Sequence, residues 1–237
     1  MEKPFKTYYG GKGADGTYQA LINEIPPHDT LIIPFAGNCA VTRMIIPAAK
    51  TFLNDIDPTV YHRWKKLLLP RFYFLYNLDF REFFSVLIDS NIFADKKTYI
   101  YCDPPYMKVT RRSDKDIYNY EISEKDHVEL LQLVKSFKCK VAISAYQNEL
   151  YEQLLKKWRK VLYKNNTRHG VVIETLYCNY EIENGQLHDY SYLGKNYTDR
   201  QRIKRKIFNW TNRLKRLEPK ESAAIVKSIY ESINNKT

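Results

Sequence analysis

The run Thr98 to Tyr106, TYIYCDPPY, constrains this chain more than any other stretch. Thr98, Tyr99, Ile100, Tyr101 and Cys102 are uncharged and β-branched, aromatic or small, the composition of a central strand covered on both faces. Pro104 and Pro105 then stop the ladder, because neither donates a backbone N–H and each restricts the residue before it. Asp103 and Tyr106 are thus carried on a stiff strand tip. A tip with a carboxylate, open carbonyls and an aromatic ring suits a planar ligand bearing an amino group. The carboxylate and the Pro104 carbonyl accept from an exocyclic NH2, and the Tyr106 ring stacks on the base. Taken alone the run also fits a proline-ended strand with a capping Asp, so its context decides.

That context repeats the same design. Lys6 to Gly16 holds four glycines around Lys12, a loop whose backbone can approach a ligand while the lysine offers a cation; its spacing is not that of a Walker A loop. Thr30 to Pro34 reads as a buried strand that turns through Phe35, Gly37 and Cys39 into a helix, where small residues let a ligand lie on backbone N–H groups. Thr51 to Asn54 is a second strand followed by Asp55, placed to hold vicinal ribose hydroxyls, and by Asp57, which reads as the N-cap before Pro58. Phe72 to Asn77 is a third strand, leading to Asp79 and Phe80 at the start of a helix. Four such turns after four strands fall along one edge of a doubly wound parallel sheet.

Further helices are expected over Thr17 to Ile25, from a Ser123/Asp126 capping box with Val128, Leu131, Val134 and Phe137 inward, and over Glu149 to Trp158; His127 is expected at the surface. Lys140 to Ser144 reads as a fifth strand. Beyond Val161 the pattern changes to hairpins, with Asn184-Gly185 as a type I′ turn between Val171–Tyr180 and Leu187–Leu193. From Thr198 a basic helix carries an apolar stripe of Ile203, Ile207, Trp210, Leu214 and Leu217, with a second helix from Lys220 to Ile233 across it.

A net charge of +11 and 20 tyrosines favour a polyanionic partner with bases to stack, although composition alone leaves a generic basic protein open. Candidate phosphate contacts are Arg111 and Arg112 in the loop Met107 to Glu121, and Arg202, Arg205, Lys206, Arg213 and Arg216 on the basic helix. Cys39, Cys102, Cys139 and Cys178 form no CxxC or Cys/His pattern and are assigned to the core of a protein in a reducing cytoplasm. A signal h-region and an apolar run of ~20 residues are absent from the sequence, so a soluble cytoplasmic protein is expected.

DPPY after an apolar strand resembles the catalytic motif of the amino-methyltransferases, most nearly the Dam-like DNA adenine-N6 methyltransferases, over Tyr8 to about Trp158. The resemblance implies an α/β class I S-adenosylmethionine-dependent fold: a mostly parallel sheet with a late antiparallel hairpin over 1–195, and a basic helical extension over 196–237 packed on it. It implies S-adenosylmethionine as cofactor, with Tyr8 and Lys12 at the methionine end, Asp55 on the ribose, Asp79 and Phe80 at the adenine, and Phe35, Gly37 and Asp103 completing the site. Double-stranded DNA is then the partner. A flipped adenine lies against Tyr106, on the Asp103-Pro104-Pro105-Tyr106 tip, and no metal is required. Two departures stand out: Cys39 replaces the second glycine of PFxGxGxV, and only residues 81–98, 18 in all, separate Phe80 from Tyr99 where the family commonly inserts a recognition segment. Cytosine-N4 methylation and an inactive DNA-binding homologue stay open.

Overall fold

The uncharged run becomes the middle of the sheet. In the computed structural model, which describes residues 12–14, 16–67, 70–88, 91–111, 117–167 and 170–234, Thr98–Cys102 is strand β4 of the seven strands, and every one of its residues is buried. The other strands are β1 (Thr30–Ile33), β2 (Lys50–Asn54), β3 (Tyr73–Tyr76), β5 (Lys140–Ala145), β6 (Arg159–Thr167) and β7 (Gly170–Cys178), in the order β3-β2-β1-β4-β5-β7-β6. Only β7 runs antiparallel to its neighbours. This is the mostly parallel sheet with a late antiparallel hairpin that the resemblance implies. Side chains alternate along β4: Ile100 and Cys102 join the core on one face, Tyr99 and Tyr101 that on the other.

Helices α1 (Thr17–Ile22), α2 (Ala40–Met44), α3 (Pro58–Lys66), α4 (Phe80–Ile88), α5 (Glu124–Ser136) and α6 (Glu149–Leu154) connect the strands. Asp57 caps α3 by accepting from the Thr59 N–H at 2.8 Å, with Pro58 in the first turn. Ser123 and Asp126 cap α5 reciprocally. Chain order runs outward from β1 to β3 on one side and from β4 through β5 on the other, so the crevice beyond the carboxyl ends of β1 and β4 is the switch point where such sheets bind ligands.

Two expectations are corrected. The hairpin is β6–β7, closed between Thr167 and Gly170, whereas Leu187–Leu193 forms no strand. Asn184 and Gly185 do take positive φ, 51° and 68°, but in a tight 3-10 turn, and nearby Asp189 turns inward to accept from the Ile46 N–H at 3.0 Å. His127 is not at the surface. It shares the buried stripe of α5 with Leu130, Leu131 and Val134, at spacings of three, four and seven, and lies 2.9 Å from the Tyr151 hydroxyl. Helices α7 (Tyr197–Lys215) and α8 (Pro219–Asn234) lie in a second unit that starts at Leu193, the first ending at Tyr192. Of the apolar stripe of α7, Ile207 and Trp210 are 52 % and 60 % exposed, while Ile203, Leu214 and Leu217 are half-buried.

Cys102, Cys139 and Cys178 are buried free thiols and Cys39 is half-buried. Among the described residues no helix is long and apolar enough to cross a membrane.

Candidate active site

The strand-end turns are laced together by polar side chains. Asn54, buried at the end of β2, donates to the carbonyls of Pro34 and Leu78 and accepts from the Leu78 N–H at 3.0 Å, joining the turns after β1, β2 and β3. Asp55 accepts from the Gly37 N–H at 2.7 Å and from the Asp57 N–H at 2.9 Å, one on each oxygen. Gly37 has a φ of 43°, a left-handed turn that its missing Cβ permits, and its carbonyl accepts from Trp64 Nε1 at 2.8 Å. Burial, only partly offset by those two N–H groups, pushes the Asp55 carboxyl up to about 6.

These turns enclose a cavity of about 240 Å³ whose walls include Phe35, Gly37, Asp55, Asp79, Phe80 and Asp103. The Phe35 and Phe80 rings lie 5.7 Å apart. Asp79 caps α4 through the Arg81 N–H at 2.9 Å and pairs with the Arg81 guanidinium, which covers the Phe80 ring at 4.3 Å and also reaches Asp126 and Glu129. Cys39 is not among the wall residues; it opens α2, with its N–H on the Ala36 carbonyl at 2.7 Å.

Asp103 is part of the cavity wall, with 20 % of its side chain exposed. Behind it Lys12, whose side chain is 2 % exposed, places Nζ 3.0 Å from Asp103 and 3.1 Å from Glu174, and donates to the Tyr106 hydroxyl at 2.6 Å. The Tyr106 hydroxyl in turn donates to Glu174 at 2.6 Å and lies 3.2 Å from Asp103. Burial alone would lower the Lys12 ammonium, but the negative charges around it, Asp103 foremost, raise it well above the ordinary lysine range. Burial raises the Asp103 carboxyl against the pull of Lys12.

Tyr106 is itself only 5 % exposed, its ring edge-on to Tyr146 with centroids 4.8 Å apart, so the open stacking face expected from the sequence is covered. Arg111, expected to face phosphate, is instead held inside: it pairs with Glu121, donates to the Tyr106 carbonyl and lies 4.9 Å over the Tyr118 ring. Its side chain is 5 % exposed. Glu121 also accepts from the Ile117 N–H at 3.0 Å, and Asn119 donates to Asp57 at 2.8 Å, which brings the segment after the DPPY tip across to the turn after β2. Arg205, Lys206, Arg213 and Arg216 are exposed on or beside α7, while Arg202 is bound by Asp199 at 2.7 Å. Tyr8 and Arg112 lie outside the described residues.

Sequence reasoning missed Glu174, 1 % exposed on β7, together with Tyr163 and Asn165 of β6, which donate to it at 2.6 and 2.7 Å. The signal was there in VVIETLYC, a single acid inside an apolar strand.

Residues 89–169, which contain the DPPY tip, match the family model of the D12 class N6 adenine-specific DNA methyltransferases. That match supports a methyltransferase of the Dam-like kind. It covers about a third of the chain. No curated protein matches the chain. Among solved structures the chain is similar to SMU.776, solved with SAH, at 14 % identity over 68 % of this chain and 47 % of that one, with a TM-score of 0.47. It is also similar to SMU.1697c from Streptococcus mutans with SAH (12 %, 68 % and 94 %, 0.46). A third is magnesium protoporphyrin IX methyltransferase from Synechocystis with bound SAM (11 %, 68 % and 74 %, 0.41). The chain thus spans about half the length of the first of these, and at such scores the likenesses bear on neither substrate nor residue roles.

Proposed function

We propose that the protein is an S-adenosylmethionine-dependent DNA methyltransferase acting on the N6 amino group of adenine. The observation that carries the reading is the position of Asp103: a partly exposed carboxylate on a DPPY tip, in the wall of the same cavity as Asp55 and Phe80. The donor set fits the cofactor chemically. Each Asp55 oxygen, although bound by one N–H, keeps a lone pair for a ribose hydroxyl, and Phe35 and Phe80 give aromatic surface for an adenine. By the resemblance Tyr8 serves the methionine end, and Gly37 and Asp79 complete the cradle; Lys12, 2 % exposed and not among the cavity's wall residues, stands behind Asp103 instead.

When bound, S-adenosylmethionine supplies an electrophilic methyl group on a sulfonium. Asp103 and the Pro104 carbonyl accept hydrogen bonds from the target amine, which draws its lone pair out of conjugation; Pro105 keeps the tip rigid. Transfer would break the S–CH3 bond and leave a neutral thioether, and the role of Asp103, its carboxyl raised by burial, would be to take the proton that the newly cationic nitrogen sheds. Positioning and fixed charge do most of the catalysis. The amine reaches Asp103 only if the base leaves the duplex, and stacking on Tyr106 then displaces Tyr146 from that ring. Arg205, Lys206, Arg213 and Arg216 are the exposed cations proposed to meet the DNA backbone.

The test is methyl transfer from radiolabelled S-adenosylmethionine to duplex DNA, followed by sequencing for the modified base. N6-methyladenine is the expected product. N4-methylcytosine would keep the chemistry and change the substrate, and donor binding in calorimetry without any transfer would overturn the reading in favour of an idle core.

A further inference from the structure

Asp103 and Glu174 are two carboxylates on one lysine, and they are unequal. Glu174 is the more fully bonded: Asn165 donates to Oε1, and Tyr106, Tyr163 and Lys12 crowd Oε2 at 2.6, 2.6 and 3.1 Å. Its exposure is 1 %, so no ligand reaches it. Asp103 has 20 % of its side chain open to the cavity. If Asp103 turns from Lys12 to an incoming amine, the buried ammonium keeps Glu174; without Glu174 it would give up both of the carboxylates described around it, at a desolvation cost that would favour keeping Asp103 bound to it.

We infer that Glu174 is the positioning residue of this site, anchoring Lys12 and the Tyr106 hydroxyl so that Asp103 can exchange the lysine for the substrate amine. This rests on the proposal that Asp103 receives that amine. The support is geometric: Glu174 comes from β7, inside the antiparallel hairpin, and ties that strand to the N-terminal lysine and the β4 tip through side chains alone. The other titratable groups that interact with Asp103, namely Tyr101, Tyr106, Tyr118, Tyr151, Tyr163, Cys39 and Cys102, are hydroxyls and thiols raised by burial and so neutral at pH 7. Burial acts most strongly on the Asp103 carboxyl, and after it, among the described residues, the charges of Lys12 and Glu174.

The experiment follows the carboxyl carbon of Asp103 by NMR in protein labelled with 13C-aspartate, its resonance assigned with Asp103→Asn, across a pH titration of wild type and Glu174→Gln. Loss of the neighbouring negative charge is expected to lower the Asp103 midpoint by about one pH unit or more. In parallel the acid limb of methyl transfer, which needs Asp103 ionised, should move down with it while the rate at the plateau falls. An unchanged midpoint overturns the inference even if the enzyme transfers methyl groups. A shifted midpoint in a protein that methylates no DNA would leave the coupling standing and remove the methyltransferase reading. Should Glu174→Gln not fold, Glu174→Asp, which withdraws the charge by one methylene, should give a smaller fall of the same sign. Failure of both to fold would make Glu174 a carboxylate of the core alone and overturn the inference.

Discussion

Lys12 and Arg205 are both cations in a chain of net charge +11, yet they live under opposite conditions. Lys12 has 2 % of its side chain exposed and meets two carboxylates and a hydroxyl within 3.1 Å; Arg205 is exposed on a helix where Ile207 and Trp210 are open as well. A buried cation is held by its neighbours and sets their charge, so changing it moves stability and chemistry together. An exposed one is solvated and screened, so changing it should leave the fold alone and act only where a charged partner arrives.

The largest effect is expected at the carboxylate both halves of the proposed reaction share. Asp103→Ala should abolish methyl transfer in a radiolabel assay while donor affinity stays within about tenfold, or ~1.4 kcal/mol. Lys12 keeps Glu174 in this variant, so the fold should survive. Near-wild-type transfer would remove Asp103 from the mechanism.

Lys12→Met attacks the same cluster from the other side. Asp103 and Glu174 would then face each other with no ammonium between them among the described residues, costing about 3–5 kcal/mol. The repulsion raises the carboxyl that protonates first, so the variant should regain stability as pH falls and that group takes a proton. Thermal melts of variant and wild type between pH 8 and 5 should converge; a constant gap would mean that Lys12 matters for packing and not for charge.

Asp55 gives a smaller, reversible effect. Its carboxyl, raised to about 6, offers both oxygens purely as acceptors to the two ribose hydroxyls only when ionised. S-adenosylmethionine affinity measured by calorimetry should therefore be flat above pH 7 and fall about tenfold by pH 5, one unit below the midpoint. Asp55→Asn should be weak throughout and lose this dependence.

Much of this site could be read from the sequence because its parts sit where the backbone is most constrained. Prolines, a left-handed glycine and lone acids at strand ends have few other uses, and Phe35, Gly37, Asp55, Asp79, Phe80 and Asp103 do line one cavity. Glu174 escaped because it is read against its strand: Val171 and Ile173 are 56 % and 53 % exposed while the acid points inward, the reverse of the usual alternation. The β6 strand, RKVLYKNNT, was hidden by its polarity, and Asn184-Gly185 carried the right local conformation without strands to join. His127 was misjudged by choosing the stripe from Val128 instead of the one through His127 and Leu130. Arg111 was misread because a charge in a loop looks solvated until its partner, Glu121, is seen.

The smallest effect tests the exposed side of the contrast. At about 100° per residue Arg202, Arg205, Lys206, Arg213 and Arg216 fall within a sector of roughly 100° beside the apolar stripe of α7. Arg202 is already bonded to Asp199 at 2.7 Å, so the cations available to phosphate are the other four. Replacing Arg205, Arg213 and Arg216 by glutamine keeps helix propensity, so circular dichroism and melting temperature should not move. Affinity for duplex DNA should fall, and the slope of log affinity against log salt should flatten by up to about 2.7, three phosphate contacts at about 0.9 each. Adding Arg202→Gln should change the slope little further, because that guanidinium has an anion of its own. If the triple variant keeps the wild-type slope, the basic face of α7 is solvated and nothing more, and backbone recognition falls to the unit that carries Asp103.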